Sequence, residues 1–330
     1  MQSDRLPIRS IPFAPENGVR LLLQLYPPQI LLSSKTESSL AKSILATAGL
    51  IGILGTIEAI LSLEQNMKPE LIVNGAAGRM GKRILALTVE SGEFNITGAV
   101  DYAQCPDLGK DAGLVAGIGK IGVDITSEFP PDADVMIDFS LPQATSAVIE
   151  YCEKNNVALV LATTGLSDGQ IEKLNTAAKT IPIVQATNMS VGMNVLFATV
   201  GKLAKMLGDE YDIEITEAHH RFKKDSPSGT ALSLAQAICE DTDRPYPDSL
   251  VHGREGKDAL RQKGTIGMHA IRAGDITGEH SVIFSALGET VTISHSAHNR
   301  DNFARGALRA ANWIIEKDTG LYSMKDVLGI

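Results

Sequence analysis

Two adjacent histidines, His219 and His220, are followed at once by Arg221, Lys223 and Lys224 and then by the turn Pro227-Ser228-Gly229-Thr230. A histidine near its unperturbed pKa of about 6.5 gives or takes a proton at neutral pH. The turn opens Ala231-Leu232-Ser233-Leu234-Ala235-Gln236-Ala237-Ile238, whose apolar residues recur at helical spacing. Ser228 or Thr230 is placed to cap that helix, and its first-turn amides, without partners inside the helix, face an anion. A carboxylate suits such a cradle, with Lys223 and Lys224 adding charge. The stretch reads as proton-transfer groups beside an anion site; the plainer alternative is a charged surface loop ahead of an ordinary capped helix. Asp212 to Thr216 alternates polar and apolar residues, as a strand with one buried face does, which puts the histidines where a strand gives way to a loop.

A second stretch has the pattern of a dinucleotide site. The apolar strand Leu71-Ile72-Val73 leads into Asn74-Gly75-Ala76-Ala77-Gly78-Arg79-Met80-Gly81 and then a helical pattern to about Val89. Glycines at 75, 78 and 81 permit a tight turn and close approach of a pyrophosphate to the helix N-terminus. A glycine triplet alone is weak. The flanking strand and helix strengthen it, as does a second strand, Ile96 to Val100, ending in Asp101, an acid placed to bind an adenosine ribose hydroxyl. A structural strand-turn-helix without cofactor is the competing reading.

The remaining elements must hold these two stretches in place. Cys105 to Ile121 is rich in Gly and Asp and reads as a long loop. Val123 to Ile125 is weakly strand-like, and Asp134 to Ser140 is a strong strand. Its Asp138 is either catalytic or an organiser of its own loop. A helix from about Pro142 to Asn155, the strand Ala158 to Leu161, a helix from Ser167 to Lys179 and the strand Ile181 to Val184 follow. That alternation implies an α/β fold with a Rossmann-type, doubly wound parallel sheet, whose ligands bind at the carboxyl ends of the strands. Ser190-Val191-Gly192 is a candidate hinge leading into a helix that runs through Leu207. Four later stretches, beginning at Leu250, Thr265, Glu279 and Thr290, alternate with period two and have no helices between them. They predict an inserted α+β domain with an open, mixed or largely antiparallel sheet and its helices on one side. Asp301 to Glu316 is an amphipathic helix expected to return to the first domain, where Met324 to Leu328 completes the chain. The organisation is therefore 1–68 as an N-terminal extension, 69–190 with 300–330 as the dinucleotide-binding domain, and 191–299 as the substrate-binding and oligomerisation domain.

The run Glu217-Ala218-His219-His220, then Lys223, Asp225 and Pro227-Ser228-Gly229-Thr230-Ala231, resembles the signature of the 4-hydroxy-tetrahydrodipicolinate (dihydrodipicolinate) reductase family of the diaminopimelate route to lysine. The similarity continues from about Glu70 to the C-terminus. It implies an oxidoreductase that reduces a planar cyclic dicarboxylate with NADH or NADPH. By the resemblance His219 is the acid/base residue, Lys223 a proton donor, His220 a substrate contact, and Ser228, Gly229 and Thr230 the carboxylate cradle. The cofactor contacts it implies are Gly75, Ala76, Ala77, Gly78, Arg79, Met80 and Asp101, with Ala162, Thr163, Thr164, Ala186, Thr187, Asn188 and Met189 on the nicotinamide side. It also implies a homotetramer formed by pairing of the second-domain sheets. Two departures stand out. Many bacterial members follow the ribose-binding acid with an arginine where this chain has Tyr102, so the choice of NADH or NADPH stays open, with Arg79 or Lys82 as substitute cations. Most members have glycine where Ala162 stands. Two other readings keep the glycine turn: a different two-domain Rossmann dehydrogenase acting on a sugar or semialdehyde, and a catalytically silent nicotinamide-binding regulator.

Composition narrows the classes. The 330 residues suit about two domains. A net charge of -9 argues against a nucleic-acid partner, so any anion site must be local. Cys105, Cys152 and Cys239 lack metal-ligand spacing and read as reduced thiols of a cytoplasmic protein with no metal. His252, His269, His280, His295 and His298 read as strand-face or loop residues. The apolar run Ile44 to Leu63 has the length of a membrane span but contains Glu58 and three glycines. The expectation is an extension without enzymatic function, with translation starting near Met67; organelle targeting and a membrane anchor are the alternatives.

Overall fold

The computed structural model describes residues 68–330, and the expectations for the extension and its apolar run lie outside the described residues. Residues Met67–Ile330 form one compact unit, to which all elements below belong.

The chain runs β1 (Glu70–Asn74), α1 (Arg79–Ser91), β2 (Asn95–Val100), α2 (Ala112–Ala116), β3 (Ile125–Thr126), β4 (Val135–Asp138), α3 (Pro142–Asn155), β5 (Ala158–Leu161), α4 (Asp168–Ala177) and β6 (Pro182–Gln185). It continues with α5 (Val191–Leu207), β7 (Asp212–His219), α6 (Gly229–Asp241), β8 (Leu250–His252), β9 (Ile266–Arg272), β10 (Glu279–Ala286) and β11 (Glu289–Ser296). It ends with α7 (Asp301–Ile314), β12 (Gly320–Tyr322) and α8 (Met324–Leu328).

Seven parallel strands form one sheet in the order β12-β6-β5-β4-β1-β2-β3. Both faces are covered, which is why its strands are apolar runs without alternation. Leu71, Val73, Ile137 and Val160 point to one face, with Ile84 and Leu85 of α1 and Ala307, Leu308 and Ile314 of α7. Ile72, Met136 and Leu159 point to the other, with Val148, Ile149 and Cys152 of α3 and Leu174 of α4. The strand order reverses direction between β1 and β4, and the Gly75 turn lies at that switch point, where doubly wound sheets bind their ligands.

Five strands form a second, mixed sheet in the order β11-β10-β7-β9-β8. β10 is antiparallel to both β7 and β11, whereas β7, β9 and β8 run parallel. Ile213 and Ile215 of β7 and Val282 and Phe284 of β10 turn one face into a core with α5 and α6. The expected α/β class, a Rossmann-type sheet with an inserted mixed sheet, is the fold observed.

Three local expectations change. Cys105 to Ile121 is not wholly loop, because Asp111 gathers the amides of Gly113, Leu114, Ile121 and Gly122 and so caps the short helix α2. The β7 strand runs three residues past Thr216 and ends on His219 itself, held by pairing with both β9 and β10. The short β12 adds an outer parallel partner to β6, and its Tyr322 packs edge-on against Trp313 of α7 at 5.1 Å. Asp138 proves to be an organiser of loops: buried, it accepts from Asn74 Nδ2 at 2.7 Å, Thr163 Oγ1 at 2.8 Å and the Ser140 amide at 3.2 Å. Among the described residues no helix is long and apolar enough to cross a membrane.

Candidate active site

Along β7 the residues facing the second core are Ile213, Ile215 and then Glu217, which is 2 % exposed. A carboxylate there forgoes the ~1.5–3 kcal/mol that a buried leucine or isoleucine contributes. It also carries a desolvation cost of roughly several kcal/mol unless it is fully paired. It is fully paired. Arg272 of β9 donates to both oxygens at 2.7 Å, the Ser228 amide donates to Oε1 at 2.9 Å, and His219 Nδ1 lies 2.6 Å from Oε2. Burial opposes the charge, but the donors from Arg272, His219 and Ser228 more than offset it and hold the carboxyl below the usual glutamate range.

His219 is the last residue of β7 and has a side chain 12 % exposed. Burial lowers its pKa, Glu217 pulls it back up, and the charges of Lys223 and Arg272 add to the lowering, with a net value below that of a free histidine. The ring is therefore mainly neutral at neutral pH. His280 of β10 meets it edge-on at 5.1 Å. Burial, and then the neighbouring His219, drive His280 down to about 3, so it too is neutral. Its Nε2 lies 3.1 Å from Ser228 Oγ, which accepts from the Ala231 amide as the N-cap of α6.

The cradle residues follow directly. Ser228 is buried, and the amides of Gly229 and Thr230 donate to no group among the described residues. Thr230 Oγ1 accepts from Asn188 Nδ2. Lys223 Nζ pairs with Asp225 at 2.9 Å, and the Asp225 carbonyl accepts from Arg272. His220 follows the strand, half-buried, with its carbonyl accepting from the Lys223 amide.

The sequence-predicted cofactor residues lie at the carboxyl ends of β1, β2, β5 and β6. Gly75 has φ +79°, and a Cβ there would stand 2.7 Å from the Phe139 carbonyl oxygen; a Cβ at Gly81 would stand 2.2 Å from the Gly75 oxygen. Glycine is therefore required for this turn to lie against α1. Ala76 is buried and contributes only backbone, donating with Gly75 to the Val100 carbonyl. Asp101 accepts from the amides of Ala77 at 2.8 Å and Tyr102 at 2.9 Å, so the acid also fastens the turn. Gly78 N-caps α1, and Arg79 and Met80 form its first turn. Met80, Ala162, Thr187, Asn188 and Met189 line a cleft of about 270 Å³ together with Thr277 and Arg300. Thr163 is instead directed at Asp138, Thr164 is exposed, and Ala186 borders a different cavity with Asn188.

Four residues of this arrangement received no site role from the sequence: Glu217, though it stands in the signature run, Arg272, His280 and Arg300. His280 is a strand-face residue as expected, on the inward face of β10, where it is buried against the cap of α6. Burial and the nearby charge of Arg79 hold Arg300 below the ordinary arginine value, and it makes no ion pair among the described residues. Arg79 in the first turn of α1 and Arg300 on the cleft beside Met80, both without acidic partners among the described residues, suit the phosphates of a dinucleotide.

Comparison with known proteins places this arrangement. The model of the dihydrodipicolinate reductase N-terminus matches residues 69–189, and the model of its C-terminus matches residues 192–328. The chain belongs to the dihydrodipicolinate reductase family. It is 45% identical over 261 residues to the 4-hydroxy-tetrahydrodipicolinate reductase of Syntrophus aciditrophicus, covering 78% of this chain and 97% of that one. It is 47% identical over 265 residues to the enzyme of the same description from Acinetobacter baumannii, covering 79% and 97%. Among solved structures, the dipicolinate-bound dihydrodipicolinate reductase from Paenisporosarcina sp. TG-14 has the same fold, with a TM-score of 0.59 at 22% identity over 78% of this chain and 98% of that one. Membership in this reductase family makes the chain an oxidoreductase with a Rossmann-type site for NAD(P).

Proposed function

We propose that the protein reduces 4-hydroxy-tetrahydrodipicolinate to tetrahydrodipicolinate, with loss of water, using NADH or NADPH. One observation carries the reading. The ring of His219 and the unpartnered amides of Gly229 and Thr230 are joined through Glu217 and Ser228, and Thr230 is bonded to Asn188 at the nicotinamide-side cleft. A proton-transfer group and a candidate anion cradle therefore belong to one hydrogen-bonded unit that reaches the Asn188 loop.

In this reading the Gly229 and Thr230 amides, with the Ser228 cap and the Thr230 hydroxyl, hold a ring carboxylate at the positive end of α6. His220 contacts the substrate. His219, neutral and shielded, gives or takes the proton at the reacting centre, and Lys223, now paired with Asp225, is a second proton donor. The nicotinamide, when bound, supplies hydride. Gly75, Ala76, Ala77, Gly78, Arg79, Met80 and Asp101 hold the dinucleotide. Ala162, Thr163, Thr164, Ala186, Thr187, Asn188 and Met189 shape its reactive end. The parts divide as 69–190 with 300–330 for cofactor and 191–299 for substrate and assembly. The same reading carries a homotetramer built on the open face of the five-stranded sheet, and a cytoplasmic enzyme whose three buried cysteines stay free.

The test follows NADH and NADPH absorbance with substrate made in place by dihydrodipicolinate synthase. Consumption of either cofactor that depends on the synthase product is expected. Cofactor binding without turnover would leave a silent regulator and end this proposal, and turnover only with a sugar or semialdehyde would point to a different dehydrogenase.

A further inference from the structure

We infer that Glu217 is a positioning residue that sets the tautomer of His219 and fixes the substrate cradle with the same carboxylate. This deepens the reductase reading and rests on it for the identity of the substrate. Oε1 accepts from Arg272 Nη2 and the Ser228 amide, while Oε2 accepts from Arg272 Nη1 and lies 2.6 Å from His219 Nδ1. An ionised carboxylate only accepts, so His219 Nδ1 must donate. In the neutral ring the lone pair then belongs to Nε2, the atom that takes the proton, and the imidazolium gives it back from the same place.

The surroundings of Nε2 agree. A Cβ at residue 278 would stand 3.2 Å from His219 Nε2 and 3.5 Å from Cδ2, so the glycine there leaves that nitrogen accessible. The other end of the carboxylate holds Ser228, which caps α6 and thereby sets where the Gly229 and Thr230 amides point. One buried anion thus keeps the acid/base nitrogen and the carboxylate-binding amides in a fixed relation. The groups facing His219 from the surrounding elements are Glu217 of its own strand, Arg272 of β9, His280 of β10 and Lys223 of the following loop. Of these only Glu217 accepts from Nδ1.

The experiment measures the His219 tautomer in the full chain by nitrogen NMR of ring-labelled histidine, with the resonance assigned by its loss in His219→Gln. The wild-type protein is expected to carry its proton on Nδ1 above the His219 pKa. In Glu217→Gln the new amide can donate to Nδ1, and the population is expected to move toward Nε2–H. In the same variant kcat should fall by about 10²-fold or more, since replacing the carboxylate that orients an acid/base histidine by an amide costs up to about 10⁴-fold. Glu217→Asp should keep the wild-type tautomer and recover part of kcat, a rescue that a merely structural role would not give. Nε2–H as the main wild-type form would overturn the inference without any variant, as would a Glu217→Gln protein with unchanged tautomer and kcat. The tautomer is read without substrate, so a protein with the expected tautomer but no turnover of dihydrodipicolinate synthase product would refute the assigned reaction and leave the positioning role standing.

Discussion

Asn188, in the loop after β6, donates its side-chain amide to the Thr230 hydroxyl at 3.2 Å, joining the parallel sheet to the first turn of α6 across 42 residues. The bond puts the loop proposed to face the nicotinamide in contact with the proposed carboxylate cradle. Thr230→Val removes it together with one donor of the cradle. Since a hydrogen bond to a charged group is worth about 1.5–3 kcal/mol, KM for the dicarboxylate should rise by roughly 10- to 100-fold, with a smaller change in kcat. Steady-state kinetics at saturating cofactor will read this, and an unchanged KM would remove Thr230 from substrate binding.

His219→Gln should separate chemistry from cofactor binding. Loss of a general acid/base group lowers kcat by about 10²- to 10⁴-fold, while the Gly75 turn and Asp101 are untouched. Fluorescence titration with NADH should therefore give the wild-type Kd. Full turnover in this variant would take the proton-transfer role away from the ring.

Asp101 accepts two backbone amides, from Ala77 and Tyr102, and as a carboxylate it favours a ribose diol over a phosphate ester. Asp101→Asn should weaken NADH binding by about 10-fold, the scale of a charged hydrogen bond, and weaken NADPH binding less. Calorimetric titration of both nucleotides provides the ratio. Equal losses for the two would show that the acid acts only as a fastener of the turn.

A second carboxylate predicts the acid stability of the fold. Glu214 lies under Arg254, Arg261 and His269, with donor distances of 2.8 Å, 2.9 Å and 2.7 Å. Burial raises its pKa, but those donors outweigh it and hold the carboxyl at about 2. Because the folded value is depressed, the stabilisation is complete above the unfolded pKa of about 4.3 and is lost as pH falls toward the folded value. Thermal melting should show Tm dropping over that acid window, and Glu214→Gln should have a lower Tm at neutral pH and a flatter acid slope. Parallel curves for the two proteins would assign the acid sensitivity to other groups.

The repeating strand-helix rhythm from Leu71 to Val184 made the doubly wound sheet legible, because a buried parallel strand must be apolar throughout and each crossover must be helical. The glycine turn was legible for a similar reason: only glycine tolerates the φ of residue 75 and the contact at residue 81. Less visible were the polar residues that keep strand parity with the core. Glu217 continues Ile213 and Ile215, and His280 precedes Val282 and Phe284 on the buried side of β10. Strand parity turns both inward, but the sequence reading ended the first strand at Thr216, and only the sheet order brings in the partners Arg272 and Ser228. Asp111 is a comparable case, since its four amide donors are scattered through a stretch whose composition suggests only loop.

The outer strand β12 pairs with β6 only after the whole mixed sheet has been traversed. During synthesis, then, β6 must wait unpaired on that side until almost the entire chain has left the ribosome. The nucleotide-binding half is begun first and finished last, and the exposed edge of β6 is the place where a nascent or truncated chain would be open to mispairing with a neighbour.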